Sequence, residues 1–263
     1  MIRVLAWLLV ALTAWLVPGG PAQAATGVAA DQGLFDQALV ASRQGEADQA
    51  LPLWDRYLSI HPNDAAALSN RGNVRLVLGD VDGAIADQTQ SMLESPNESD
   101  PHLNRGTAEE ALQQWEAAAD DYLWILERDP EDASALYNLG NVRGSQQDWP
   151  EAARLYGAAS LAKPGFAMAR SSEAMAHYQL EEFEQAEREL RNLIRRYPMF
   201  ADARAGLSAL LWRLGQRGEA ESHWAAASGL DPRYRQAEWL LSVRRWPPGP
   251  TADLMAFLHL EAP

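Results

Sequence analysis

Cysteine is absent from all 263 residues, and lysine occurs once, at Lys163. Without cysteine there is no disulfide, no thiolate metal site and no thiol nucleophile. The five histidines, His61, His102, His177, His223 and His259, are scattered without ligand spacing, so no metal site is expected. Nor is there a glycine-rich phosphate loop or a nucleophile beside a positioned base, which leaves no support for an enzyme and no cofactor to expect. Period-2 alternation of useful length is also missing, and with it the signal for strands.

What is present is a period. Pro62, Pro96, Pro130, Pro164, Pro198 and Pro232 are spaced by 34 residues throughout. Units written to this register begin at Asp31, Ala65, Ser99, Ala133, Ala167 and Ala201. Their eighth residue is small: Ala38, Gly72, Gly106, Gly140, Ala174 and Ser208. Their twentieth is alanine throughout: Ala50, Ala84, Ala118, Ala152, Ala186 and Ala220. The twenty-fourth is mostly large (Trp54, Tyr122, Tyr156, Leu190, Trp224), with Gln88 the polar intruder. Small residues at fixed helical positions let two backbones approach, and a bulky one fills the neighbouring gap. Each unit therefore reads as two helices joined by a turn near its fifteenth residue, where Gly45, Gly79 and Gly215 stand. The proline ends the second helix, since it donates no amide hydrogen and restricts the residue before it.

Ahead of the units, Met1-Ile2-Arg3 precedes an apolar run from Val4 to Val17, then Pro18-Gly19-Gly20 and Ala22-Gln23-Ala24. That order is expected of a secretory signal peptide over 1–24, cleaved near Ala24, with a linker at 25–30. Charge is lopsided: residues 25–132 hold 21 acidic and 6 basic side chains, and residues 133–263 hold 15 of each. The acidic half would repel nucleic acid and anionic membrane, so a membrane is expected only through a partner.

The spacings over 31–234 resemble the tetratricopeptide repeat, on the small-residue, alanine, aromatic and proline positions just given. The resemblance implies an all-α, right-handed superhelical solenoid of six repeats, with a concave groove lined by the first helix of each pair and used to bind other proteins. Positions 2, 5, 9, 12 and 13 share one helical face, and the resemblance makes that face the concave one, with position 6 at its border. There the second to fourth repeats place Ser69, Asn70, Asn73, Asn104, Thr107, Tyr137, Asn138 and Asn141. An asparagine amide offers an acceptor and two donors, suited to the backbone of a bound segment. The fifth and sixth place Met168, Met175, Tyr178, Gln179, Trp212 and Arg213, with Met175, Tyr178 and Trp212 expected to receive apolar anchors of a partner. Relatives that clamp a terminal carboxylate present lysine and arginine from the groove; here Ser69, Asn70, Asn73, Asp100, Leu103 and Asn104 stand instead, which disfavours a clamp. No small-molecule substrate is expected of such a groove.

One substitution is paired within the chain. Positions 7 and 23 hold Arg71 and Asp87, then Arg105 and Asp121, then Leu139 and Leu155. Exchange of an ion pair for an apolar pair predicts contact between the two helices of a unit, so these charges are read as structural. The fifth repeat departs, with Glu173 and Glu189.

Residues 235–263 are expected to cap the stack. Tyr234 to Arg245 reads as a helix stopped by Trp246-Pro247-Pro248-Gly249-Pro250, after which Thr251 caps a short helix carrying Leu254, Phe257 and Leu258 on one face. The ending Glu238-Trp239-Leu240 with Arg245-Trp246-Pro247-Pro248 resembles exported tetratricopeptide proteins of cyanobacteria and the chloroplast lumen, which implies a periplasmic or thylakoid-lumen location and a role near photosynthetic membrane complexes. The other reading is self-association, the acidic half meeting the arginines at 191, 195, 196, 233, 235, 244 and 245.

Overall fold

A computed structural model describes residues 27–260, so the expected signal peptide lies outside the described residues. The chain divides at Trp124 and Ile125 into two compact units. The first contains α1 (Gly27–Arg43), α2 (Ala47–Ile60), α3 (Ala65–Leu78), α4 (Val81–Glu94) and α5 (Ser99–Ala111), and α6 (Trp115–Leu126) runs across the division. The second contains α7 (Ala133–Ser145), α8 (Trp149–Ala162), α9 (Ala167–Gln179), α10 (Phe183–Arg196), α11 (Ala201–Arg213), α12 (Arg217–Leu230), a 3₁₀ turn at Pro232–Arg235, α13 (Ala237–Ser242) and α14 (Pro248–Leu260). All the described regular structure is helical, in tandem pairs at the expected register. One boundary differs from expectation, because α1 already begins at Gly27, inside the segment taken for linker.

The turn inside each pair is a left-handed residue at position 15. Gly45, Gly79 and Gly215 take φ of 75°, 86° and 76°. In the third to fifth repeats Gln113, Gln147 and Glu181 adopt the same conformation at 59°, 65° and 62°, which a side chain tolerates only at a cost. Helix starts are capped where aspartate is available: Asp64, Asp80, Asp132 and Asp148 accept from the backbone N–H of Ala67, Gly83, Ala135 and Glu151.

Helix pairing follows from the small-against-large positions. A Cβ on Gly106 would stand 2.7 Å from the Tyr122 ring, and one on Gly140 would stand 2.7 Å from that of Tyr156. Gln88 fills the same place in the second repeat, where it is buried and donates from Nε2 to the Ser69 carbonyl (2.9 Å) and Asn73 Oδ1 (3.0 Å). All six alanines at position 20 are buried.

Arginine joins aspartate as the paired exchange implied. Arg71 donates to both oxygens of Asp87 at 2.8 and 2.7 Å, and Arg105 to both of Asp121 at 2.8 Å. Leu139 and Leu155 are buried in their stead in the fourth repeat.

The C-terminal segment departs from the sequence reading. The expected helix from Tyr234 to Arg245 is broken into the 3₁₀ turn and α13. Thr251 does not cap α14. The helix starts at Pro248, where a missing N–H costs nothing, and Thr251 lies within it, its hydroxyl donating to the Pro247 carbonyl at 2.9 Å.

Candidate functional site

In the first unit the first helices of successive pairs, α1, α3 and α5, lie against one another and form one face. Asn104 Nδ2 on α5 donates to Ser69 Oγ on α3 at 3.2 Å, tying neighbouring repeats together. Asn73 Oδ1 takes the Gln88 amide, and Asn70 Nδ2 bonds back to the Ala66 carbonyl at 2.8 Å. Each amide thus spends one group on the fold. Oδ1 of Asn70, Oδ1 of Asn104 and Nδ2 of Asn73 are not used among the described residues, and all three side chains are half-buried. Of the neighbours expected beside them, Ser69 and Thr107 are buried.

The second unit uses its corresponding face differently. Tyr137 and Asn138 of α7 are half-buried, and Asn138 makes no side-chain hydrogen bond among the described residues. Tyr137 packs on Tyr156 and Phe166, with ring centroids 5.6 and 5.0 Å away. Asn141 is buried, against expectation, because its Oδ1 accepts from the Tyr156 hydroxyl at 3.0 Å.

Met175 and Tyr178 also correct the sequence reading: they are 1% and 3% exposed. Met175 is sealed by α11, where a Cβ on Gly206 would come within 2.8 Å of its sulfur. Tyr178 and Trp212 are covered by the chain itself, since α14 folds back onto α9 and α11. The Tyr178 hydroxyl donates to Asp253 at 3.0 Å, the Gly249 N–H donates to Gln179 Oε1 at 2.8 Å, and Phe257 packs 5.8 Å from the Trp212 ring. Leu254 and Phe257 are buried as a result. The strip expected to receive a partner's apolar anchors receives those of this chain.

Asp202, at the start of α11 and 1% exposed, locks that arrangement. It accepts from Ser171 (2.6 Å), Tyr234 (2.7 Å), Trp246 (3.0 Å) and Arg244 Nη2 (2.8 Å). Burial alone would push its carboxyl up; the Arg244 charge and the converging donors outweigh this and hold it below the usual carboxylate range. The sequence reading missed this hub. Its only trace was the run from Arg244 to Trp246 where the repeat ends.

Of the arginines considered for self-association, several are already engaged. Arg191 bridges Glu187 and Glu219, Arg233 pairs with Asp231, and Arg244 is committed to Asp202. One grouping leaves no trace in the spacing of the histidines, because two of its three members are glutamates: Glu173 and His177 on α9 converge with Glu189 on α10.

Comparison with known proteins agrees with this architecture. The tetratricopeptide repeat profile matches residues 35–97, 103–167 and 171–234. Solved structures of similar fold include the pilF protein of Pseudomonas aeruginosa (17% identity, 78% of this chain and 93% of that one, TM-score 0.67). A tetratricopeptide repeat protein of Parabacteroides merdae is similar at 16% identity over 87% and 98% of the two chains, with a TM-score of 0.62. So is YrrB, whose structure is described as that of a TPR protein with an unusual peptide-binding site (22% identity, 65% and 88%, TM-score 0.52). No curated protein matches the sequence.

Proposed function

Since the chain belongs to the tetratricopeptide repeat family, we propose that it is a non-enzymatic scaffold holding a segment of a partner protein on the α3–α5 face. The observation that carries this is the contrast between the two first-helix faces. Within the first unit Asn70, Asn73 and Asn104 stay half-buried, and their amides keep hydrogen-bonding groups in reserve. In the second unit a helix of the chain's own occupies the corresponding face, held by side-chain hydrogen bonds and two buried apolar residues. A polypeptide segment is therefore a fitting occupant of this kind of surface. The peptide-binding site named for YrrB agrees with it.

The partner segment is basic. Residues 25–124 carry 17 acidic side chains against 5 basic ones, so the first unit attracts positive charge over a range set by ionic strength. With 1–24 as a cleavable signal, the scaffold works outside the cytoplasm, in a periplasm or thylakoid lumen, where it serves the assembly of membrane or photosynthetic complexes. The test is a photoreactive residue at position 104 of the full chain. Crosslinks to a basic protein should be lost in Asn70→Ala/Asn73→Ala and weaken between 50 and roughly 500 mM salt, as screening requires. Crosslinks indifferent to both would refute the proposal. Mass spectrometry of the exported protein should find its N-terminus at Ala25.

A further inference from the structure

The fifth repeat breaks a rule kept by the three before it. Positions 7 and 23 are charge-balanced as Arg71–Asp87 and Arg105–Asp121, or apolar as Leu139–Leu155. The fifth sets Glu173 against Glu189, two carboxylates that form no ion pair among the described residues. Glu189 Oε2 is buried without a hydrogen-bond partner. Arg154 lines the cleft beside them, but it is paired with Glu151 and forms no ion pair with either carboxylate among the described residues.

The surroundings are arranged as a cation would need them. His177 follows Glu173 by one helical turn on the same face of α9. One ligand atom from each of Glu173, His177 and Glu189 lies within 4.8 Å of both others. His177 Nδ1 stands 2.5 Å from Glu182 Oε2, which holds the ring proton on that side and leaves the Nε2 lone pair for the cluster. The Gln185 amide nitrogen is 2.9 Å from that Nε2 and 3.0 Å from Glu189 Oε1, a lone donor bridging two ligands. Behind Glu173 there is a glycine, Gly157, where a Cβ would come within 2.7 Å of Oε1. Glu173, His177 and Glu182 line a cleft of about 520 Å³ together with Ala153, Gly157 and Leu161.

We propose that Glu173, His177 and Glu189 form a divalent metal site of the zinc class, with two carboxylate oxygens and one imidazole nitrogen as ligands and a fourth position open to the cleft. Ligands about 2.0–2.2 Å from a tetrahedral zinc stand roughly 3.4 Å from one another. From separations of up to 4.8 Å the three must therefore close by up to about 1.4 Å, which two flexible glutamates allow once the Gln185 amide swings out. The imidazole sets the class: calcium and magnesium take oxygen ligands, whereas zinc accepts this mixed set. Glu182 is the outer partner that orients the imidazole.

Zinc competition against a chromogenic chelator tests the site on the full metal-stripped chain. One equivalent should bind, and millimolar calcium or magnesium should not displace it. His177→Ala and Glu189→Gln should each weaken binding by at least ~10-fold, while His259→Ala leaves it unchanged. Glu189→Gln relieves a like-charge pair, so loss of binding there cannot be laid to failure to fold. Glu182→Gln alters a half-exposed side chain and should cost ~10-fold in affinity with the thermal midpoint of the metal-free protein unchanged. Absence of a saturable zinc site overturns the proposal. So does zinc binding that survives His177→Ala combined with Glu189→Gln, or displacement of zinc by calcium.

Discussion

Replacing Arg105 by leucine removes two hydrogen bonds of 2.8 Å to Asp121 and leaves that carboxylate, 3% exposed, with His102 as its remaining ring partner at 2.7 Å. A buried charge stripped of its counter-ion costs about 3–5 kcal/mol. Asp121→Leu strands the guanidinium instead, but Arg105 is more exposed than Asp121 and can turn to water, so the cost should be smaller. The double variant Arg105→Leu/Asp121→Leu is different in kind. It recreates in the third repeat the buried leucine pair that the fourth already contains as Leu139 and Leu155. Exchange of a whole buried pair for apolar residues is neutral or favourable. His102 loses an acceptor, at about 1 kcal/mol, but keeps its stacking on Trp124, with centroids 3.7 Å apart. The double variant should therefore lie within about 2 kcal/mol of the parent, with a coupling of at least ~2 kcal/mol between the sites. Urea denaturation of all four proteins, followed by circular dichroism at one pH, measures this, with m-values checked because repeat arrays can lose cooperativity. Additive costs would refute the reasoning, as would an Arg105→Leu protein as stable as the parent.

Asp202→Ala should free the C-terminal segment, since it leaves buried Arg244 unpaired and removes the acceptor of Tyr234 and Trp246; a loss of about 3–5 kcal/mol and new protease cleavage between residues 243 and 247 are expected, and an uncleaved variant would contradict the locking role. Glu109 has its carboxyl pushed up to about 7 by burial first and by Asp121 second. Its folded form thus binds the proton more tightly than the unfolded chain, so its contribution is complete below the ordinary carboxylate range and is lost as pH rises through about 7. Over that window Glu109→Gln should flatten the fall in stability by up to about 3 kcal/mol, read from urea midpoints at pH 5 and 8. Gln147→Gly, at φ 65°, should stabilise the protein by ~0.5–1 kcal/mol, and thermal melting that shows a loss would count against the strain at that turn.

Period and pairing were legible because they are local. Position 15 shows why part of the signal was hidden: three repeats announce the left-handed turn with glycine, while Gln113, Gln147 and Glu181 are forced into it by the helices on either side. Exchange of Arg–Asp for Leu–Leu exposed a contact between two helices because both partners changed together within one chain. A C-terminal cap with Leu254 and Phe257 on one face was legible, and both are buried; α14 offered no internal comparison, so its reach onto α9, and with it the burial of Tyr178, could not be read. The Glu173–His177–Glu189 grouping was half written: the two residues on α9 are one turn apart, but the third comes from α10 and needed the hairpin to arrive.

The two outcomes for the first-helix faces share a physical cause. A groove that must wait in water for a visiting partner cannot be apolar, because exposed Met, Tyr and Trp would promote aggregation until the partner arrived. The α3–α5 face meets that requirement with half-buried asparagines whose amides are partly satisfied by neighbouring helices. The α9–α11 face violates it in sequence, and the violation is resolved by a permanent occupant: Leu254 and Phe257 arrive on α14, tethered to the same chain and hence at high effective concentration. An apolar strip in a repeat array is therefore better evidence for a covering segment nearby in the sequence than for a partner. Polar strips are where visiting partners are to be sought. Asn138, half-buried and without a side-chain hydrogen bond among the described residues, extends that rule to α7 and marks the position in the second unit where a crosslinking probe should be placed.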